Sequence, residues 1–471
     1  MKSRLDKYGW LIIAGFFVMT LARTLNHAMW RDECQPWLMA RYAESFRHLF
    51  NLTLYETHPF WWYACLRVFS LLGLDYHAMQ VFHVLIATAT AFVVLRFSPF
   101  SKLMNVLLIF GYFFSFEFAI ISREYALGSL LLFAACATWK SAIEKPMPFT
   151  ACLFILAQTS PLFVLVAGSM ELAFIARACM EKRYRVLQGN IILVAFGFLI
   201  ALFQYLPATN AAPQRFDLST YLYRLIKFEP LASFFGAYIP LPSLTQGFWN
   251  TNILDAFPTI QKSLCAALLI ATPISIRRNT PALVFFVTCV ALLFAFTCYF
   301  PSSALRHSGV LFLATVAMFW ISGSYPFPRT VTAVLGIHIV AGFLVGVTEV
   351  AQPFSGGKNA ARFIQTNYPN APIIADVEAV MTPISTYLDK PVFCASRKRY
   401  QTYYINDTST RPTPLQPEEI AAVILQYPAK SFLLVINYYP VSIPQTAKAT
   451  LLFQSVGAGC GESFVILGIN K

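Results

Sequence analysis

Two adjacent carboxylates follow the first long apolar run of the chain. Residues 30–37 read Trp-Arg-Asp-Glu-Cys-Gln-Pro-Trp, so Asp32 and Glu33 come directly after the cation of Arg31. A carboxylate beside an anion-binding cation can serve as a general base. An acid at this position is also typical of a capped helix start. The segment therefore predicts either a catalytic base at Asp32 or a structural cap.

A second candidate pair, Glu56 and His58, precedes Pro59. An acid and an imidazole two residues apart can share a proton or bind a metal ion. The same pattern occurs in many polar surface turns, and both interpretations stay open. If a divalent metal binds, the predicted ligands are Glu56, His58 and His307.

Further charged groups lie at the ends of apolar runs. Arg123, Glu124 and Tyr125 stand between two such runs, and Arg306 with His307 begins another. Ionisable residues at membrane depth usually face a cavity or a partner. The structural alternatives are an Arg123–Glu124 ion pair and an Arg306 side chain that reaches the interface.

Composition indicates which elements position these groups. Hydrophobic residues make up 57% of the 471 residues and charged residues 12%, and the mean hydropathy is +0.58. A membrane is the solvent that fits this composition. The net charge of +13 would suggest nucleic acid only if the basic residues shared one solvated face. They form small clusters between apolar runs instead, so we expect a membrane protein with no nucleic-acid partner.

A spanning helix needs about 20 apolar residues. We predict eleven spans, at residues 8–28, 78–95, 103–121, 125–138, 148–158, 161–180, 188–206, 258–276, 281–300, 308–323 and 330–351. Lys2, Arg4 and Lys7 place the N-terminus in the cytoplasm, and later basic clusters fall at alternate ends of the spans. This pattern predicts a multi-pass protein of the bacterial cytoplasmic (inner) membrane.

Two long loops and a final domain are expected outside the membrane core, on the extracytoplasmic side. Residues 1–351 form the transmembrane module, with a first outer loop at 29–77 and a large outer loop at 207–257. In the first loop, two amphipathic interfacial helices are predicted at residues 35–50 and 59–72. The aromatic belt would then include Trp37, Trp61, Trp62 and Tyr63.

Residues 352–471 read as a small extracytoplasmic α/β domain, because helical and strand patterns alternate there. Helices are predicted near residues 358–367, 378–388 and 417–426, and strands near 372–375, 432–436, 451–454 and 464–467. Cys34 with Cys65, and Cys394 with Cys460, could form disulfides if these regions face an oxidising compartment.

The sequence resembles the GT-C superfamily of integral-membrane glycosyltransferases, of the protein mannosyltransferase and lipid A aminoarabinose or galacturonic acid transferase type. The resemblance rests on the acid pair that ends the first span, the acid-x-His-Pro stretch, and the Arg-acid-Tyr-Ala-Leu run at 123–127. It also rests on an outer Arg-His pair near the tenth span and on the final α/β domain, so the resemblance covers most of the chain.

The resemblance implies that Asp32 is the catalytic base, with Glu33 beside it, and that Glu124 supports it. The donor would be a polyprenyl-phosphate sugar, and the acceptor a hydroxyl of a lipid, glycan or protein. The cations and polar groups predicted to bind substrate are Arg31, Glu56, His58, Arg123, Tyr125, Arg224, Arg306 and His307. The sequence indicates no definite cofactor, and a divalent metal is optional because phosphate is a good leaving group. The competing hypothesis is a transporter or flippase of lipid-linked sugars, which would favour broken helices and charges near the bilayer midplane.

Overall fold

The computed structural model describes residues 5–56, 58–212, 216–245, 247–300, 304–323, 328–408, 415–437, 443–455 and 459–471. Lys2 and Arg4, on which the predicted orientation partly depends, lie outside these residues, as do parts of the 207–257 loop. The chain is mainly helical, with one sheet near its C-terminus. The α-helices, in chain order, are α1 (Lys7–Asn26), α2 (Arg31–Tyr42), α3 (Phe46–Thr53), α4 (Phe60–Leu71), α5 (Tyr76–Phe97), α6 (Lys102–Ile109), α7 (Tyr125–Thr138), α8 (Pro146–Leu156), α9 (Pro161–Met180), α10 (Arg185–Gln204), α11 (Leu218–Ile226), α12 (Pro230–Phe235), α13 (Pro258–Ser275), α14 (Thr280–Tyr299), α15 (Leu305–Ser322), α16 (Pro328–Ala351), α17 (Gly357–Asn367), α18 (Glu378–Leu388) and α19 (Pro417–Gln426).

Among the described residues, seven helices are long and apolar enough to cross a membrane. They are α1, α5, α9, α10, α14, α15 and α16 from its second residue onward. Of the other predicted spans, α7 has 14 residues and α8 has 11. Helix α13 has 18 residues but includes Gln261 and Lys262. The membrane-protein class is confirmed, whereas the count of eleven spans stays a prediction.

The continuous helix predicted over residues 103–121 is wrong. Helix α6 ends at Ile109, and a π-helical turn follows at Phe113–Glu117. A break in a helix that was predicted to span the membrane is tolerated only where protein covers it, and residues 111–126 are all buried. At this break the Glu117 carboxylate accepts two hydrogen bonds, from the Tyr112 hydroxyl at 2.9 Å and from the Trp249 indole N–H at 3.1 Å.

The first loop folds into three helices, α2, α3 and α4. The predicted interfacial helix at 35–50 is therefore two helices, and α2 is covered by protein. Helix α18 packs across α2, so Trp37 is buried rather than in an aromatic belt. Trp62 and Tyr63 are also buried, and of the four predicted belt residues only Trp61 is exposed.

The C-terminal part contains a six-stranded sheet in the order β3-β2-β1-β4-β6-β5. The strands are β1 (Ile373–Ala375), β2 (Val392–Cys394), β3 (Arg399–Gln401), β4 (Ser431–Ile436), β5 (Lys448–Gln454) and β6 (Val465–Asn470). Strands β2, β1 and β4 run parallel, and the remaining pairs are antiparallel. The predicted helices and strands of this part are confirmed. Strands β2 and β3 were not predicted.

All four cysteines considered for disulfides are free. Cys34 is buried in α2, and Cys394 is buried in β2. Cysteine in such surroundings behaves as a small hydrophobic residue.

Candidate active site

The start of α2 is fixed by Glu33, which is fully buried. Its carboxylate accepts hydrogen bonds from the backbone N–H of Ser122 at 2.7 Å and of Trp30 at 3.3 Å. His27 Nε2 lies 2.9 Å from the same carboxylate, and His27 Nδ1 lies 2.5 Å from Glu349 on α16. Glu33 thus joins α1, α2, the break before α7 and α16. These contacts connect backbone and side chains of four elements, and Glu33 does not line the cavity described below, so its predicted catalytic role stays a prediction without support from the geometry.

Asp32 is held by cations instead. Its Oδ2 accepts from Nη2 of Arg306 at 2.8 Å, and Arg31 Nε lies 3.8 Å from Oδ1. Nη1 of Arg123 donates to the backbone carbonyl of Asp32 at 2.5 Å. Burial opposes ionisation of this carboxyl, but the charges of Arg306 and Arg123 outweigh it and hold its pKa below the usual range. The side chain is 23% exposed, so Asp32 is an accessible carboxylate and does not cap the helix.

Arg123 and Glu124 form the ion pair that the structural alternative predicts. Arg123 donates to the two carboxylate oxygens of Glu124 at 2.9 and 3.3 Å. His58 Nδ1 lies 2.8 Å from Glu124 Oε1. Burial would raise the pKa of Glu124, but Arg123 and His58 keep it well below the usual range. Glu124 therefore stays charged and orients both neighbours.

Arg306 has unused hydrogen-bonding capacity. One nitrogen donates to Asp32, while Nε and Nη1 are buried and find no hydrogen-bond partner among the described residues. The guanidinium lies 5.3 Å from the ring centroid of Trp30, in a cation–π contact. Arg306 is also the second residue of α15, where the backbone N–H groups favour anions. Two donor nitrogens without a partner in this setting are suited to bind an anion.

These side chains open into one cavity of about 300 Å³. It is lined by Asp32, Gln35, Pro36, Tyr55, Glu56, His58, Arg123, Tyr125, Pro161, Leu162, Phe296, Phe300, Arg306, His307, Tyr404 and Asn406. The wall contributed by α9 and α14 is apolar, and the charges come from α2, the turn before α4, the segment before α7 and the start of α15. The cavity therefore suits a ligand that joins an anion to a hydrophobic chain.

Seven of the predicted site residues line this cavity: Asp32, Glu56, His58, Arg123, Tyr125, Arg306 and His307. Gln35 Nε2 donates to Glu56 at 3.1 Å, and burial raises the pKa of Glu56. The rings of Tyr125 and His307 lie 6.2 Å apart.

Four predicted residues lie outside the cavity lining: Glu33, Glu124, Arg31 and Arg224. The backbone N–H of Arg31 donates to Glu462 at 3.2 Å, which ties α2 to the C-terminal part. Arg224 on α11 reaches the Cys298 carbonyl at 3.5 Å, so its predicted role in binding substrate has no support from the geometry.

The residues proposed as metal ligands do not form a metal centre. Within the described ranges, no group of three His, Cys, Asp or Glu side chains has the geometry to hold a metal ion. The Glu56 carboxylate accepts a hydrogen bond from Gln35, and Nδ1 of His58 lies against the Glu124 carboxylate. The geometry of the described residues therefore gives no support to the predicted ligand set of Glu56, His58 and His307.

Sequence reasoning missed Gln35, Tyr55, Tyr404 and Asn406. Gln35 stands three residues after Asp32, which places both on one face of a helix, so its spacing was an available signal. Tyr404 and Asn406 lie in a loop of the C-terminal part and are more than 350 residues from α2 in the chain. No local pattern marks them.

A bundle of apolar helices, a folded first loop beside the charged cavity and a C-terminal α/β part make up a fold that is also found in a solved membrane protein of the type that the sequence resemblance predicted. Two crystal structures of ArnT from Cupriavidus metallidurans share this fold over 98% of both chains. The structure bound to undecaprenyl phosphate has a TM-score of 0.50, and the apo structure 0.55, each at 11% sequence identity. No protein-family model and no curated relative matches the sequence.

Proposed function

We propose that the protein transfers a sugar from a polyprenyl-phosphate donor to an acceptor hydroxyl, with Asp32 as the general base. The observation that supports this most directly is the Asp32–Arg306 pair. Nη2 of Arg306 pairs with Asp32, while its Nε and Nη1 are available to an anion, and this guanidinium lies at a cavity with an apolar wall. The neighbouring fold of ArnT in complex with undecaprenyl phosphate is consistent with such a ligand.

In this reaction the donor phosphate binds the unused N–H groups of Arg306. Phosphate competes with Asp32 for the same cation, so donor binding makes the carboxylate a stronger base. Asp32 then takes the proton of the acceptor hydroxyl, and the oxygen attacks the anomeric carbon of the sugar. The bond from this carbon to the phosphate oxygen breaks, and polyprenyl phosphate leaves with its charge stabilised by Arg306. Attack opposite the leaving group inverts the anomeric centre.

The reaction would take place at the extracytoplasmic face of the inner membrane. Nucleotide sugars are made in the cytoplasm, so a site on the far side needs a donor carried across on a lipid. The positive-inside pattern of the sequence supports this orientation. The acceptor would be a lipid, glycan or protein that reaches the cavity from that side.

The test is transfer by the full-length protein in liposomes supplied with undecaprenyl phosphate esters of labelled sugars and an envelope extract as acceptor. Asp32→Asn should lower the rate about 10²- to 10⁴-fold, which is the usual contribution of a general base, without lowering the affinity for undecaprenyl phosphate. The matched control is Asp75→Asn, because Asp75 is an exposed cap of α5. Full transfer by the Asp32→Asn protein would refute the proposed base. Donor binding without transfer in the unmodified protein would favour a lipid-linked-sugar transporter.

A further inference from the structure

The C-terminal part reaches into the cavity through one loop, residues 402–408. This loop follows strand β3 and brings Tyr404 and Asn406 to the cavity wall. The α/β part is thus a component of the site, although it lies beyond the last helix of the membrane bundle in sequence.

The loop is fixed on α2 through its backbone. The Gln35 side chain donates to the carbonyl of Tyr404 at 2.7 Å and accepts from its N–H at 3.3 Å. Gln35 Nε2 also donates to Glu56, so one amide joins the loop to two parts of the first-loop fold. The position of Tyr404 relative to Asp32 is therefore set by α2 itself.

The loop is held on its other side by the chain that follows α10. The N–H of Ala212 donates to the carbonyl of Asn406, and the N–H of Thr408 donates to that of Asn210, both at 2.9 Å. Ala211 and Asp407 form an isolated antiparallel bridge. Residues 402–408 are thus hydrogen-bonded to α2 on one side and to residues 210–212 on the other.

Arg397 fixes the loop from within the α/β part. Its Nε donates to Glu378 at 2.5 Å, and Nη2 donates to Asp407 at 2.9 Å and to the Ile405 carbonyl at 3.2 Å. Glu378 is almost fully buried at the start of α18, the helix that packs on α2. Arg397 thereby links the sheet, α18 and the loop.

The side chains of Tyr404 and Asn406 remain available. The backbone of each is hydrogen-bonded, whereas neither side chain has a hydrogen-bond partner in the described part of the chain. An amide offers donors and acceptors together, and a phenol offers an aromatic face and a hydroxyl. These groups suit an uncharged polyhydroxyl ligand better than a phosphate.

We propose that the 402–408 loop binds the sugar of the donor lipid, with Tyr404 and Asn406 in contact with it and Arg397 as a positioning residue. This inference rests on the proposed function, because Arg306 and the apolar wall are taken to hold the phosphate and the lipid chain. The α/β part would then select which sugar is transferred.

The experiment compares two kinds of ligand on the full-length protein in detergent: undecaprenyl phosphate itself, and its esters with a hexose, an aminopentose and a hexuronic acid. The unmodified protein should bind at least one ester more tightly than undecaprenyl phosphate. The Tyr404→Phe/Asn406→Leu variant should lose roughly tenfold or more of this preference, as expected for two lost hydrogen bonds. Its affinity for undecaprenyl phosphate should stay unchanged.

The control variant is Tyr400→Phe/Asn367→Leu, which removes the same groups from surface positions of the same part of the chain. Arg397→Gln should reduce the sugar preference selectively, and Arg399→Gln should not. If the Tyr404→Phe/Asn406→Leu variant keeps the preference, or loses affinity for both ligands equally, the inference is wrong while the proposed function stands. If the unmodified protein does not bind undecaprenyl phosphate, the proposed function fails and the inference falls with it.

Discussion

His27 lies between the buried carboxylate of Glu33 and the partly buried carboxylate of Glu349, and replacing it with glutamine should destabilise the protein strongly. Its ring nitrogens lie 2.9 Å from Glu33 and 2.5 Å from Glu349. An imidazole can donate to an acceptor on each side only when both nitrogens carry hydrogen. The His27 side chain is fully buried, so the interaction is a desolvated bridge between two acids. Glutamine cannot donate to both carboxylates in this geometry and carries no charge.

The expected magnitude follows from these contacts. Loss of one partner from a buried ion pair costs about 3–5 kcal/mol. At roughly 2 °C per kcal/mol for a long chain, the thermal midpoint should fall by roughly 6–10 °C. His83 provides a matched control, since it is equally buried but makes one hydrogen bond, at 3.2 Å to the Ala119 carbonyl. His83→Gln should cost about 1 kcal/mol, or roughly 2 °C.

The assay is thermal unfolding in detergent of the His27→Gln, Glu349→Gln and His83→Gln proteins, together with the His27→Gln/Glu349→Gln double variant. Neutralising Glu349 removes the charge of one of the two acids that lose their contact with His27 in the His27→Gln protein. The double variant should therefore be more stable than the sum of the two single changes predicts. Additive losses, or a His27→Gln midpoint no lower than that of His83→Gln, would refute the bridge.

Three other outcomes follow from the described contacts. Burial raises the pKa of Glu462 to about 7 from 4.5. Between these pH values the folded state keeps a proton that the unfolded state releases, so the free energy of unfolding should fall by roughly 3 kcal/mol as the pH rises from 4.5 to 7. Unfolding measurements on Glu462→Gln should show that this pH dependence is lost. Arg123→Ala should destabilise the protein by about 3–5 kcal/mol by leaving a buried acid without its main partner, whereas Arg224→Ala should change stability by less than about 0.5 kcal/mol and leave transfer intact. Because Cys34 and Cys65 are free, a reducing agent should not alter the thermal midpoint, and a shift would show a disulfide.

The residues that the sequence singled out fall into two groups in the structure. Asp32, Arg123 and Arg306 meet at the cavity, as expected for charged groups at the ends of apolar runs. Glu33 and Glu124 were predicted with them, yet their carboxylates are used to hold the backbone and neighbouring side chains. Residue type and spacing cannot separate these cases, because a buried acid in a structural pair and an acid in a site differ only in their partners.

The sequence by itself determined the class of the molecule and most of its secondary structure. Long apolar runs and basic clusters predict membrane helices because burial in lipid depends on local composition. The helices of the C-terminal part were predicted because their pattern repeats within each segment. Asp32 was found because its neighbours in sequence already suggested a base.

Only the tertiary structure decided which groups act together. Arg306 pairs with Asp32 across 274 residues, and Tyr404 is placed beside it by the side chain of Gln35. The break at Phe113–Glu117 and the burial of α2 beneath α18 are likewise results of packing. Such contacts depend on how distant segments fill space against one another, and no local pattern in the chain records that arrangement.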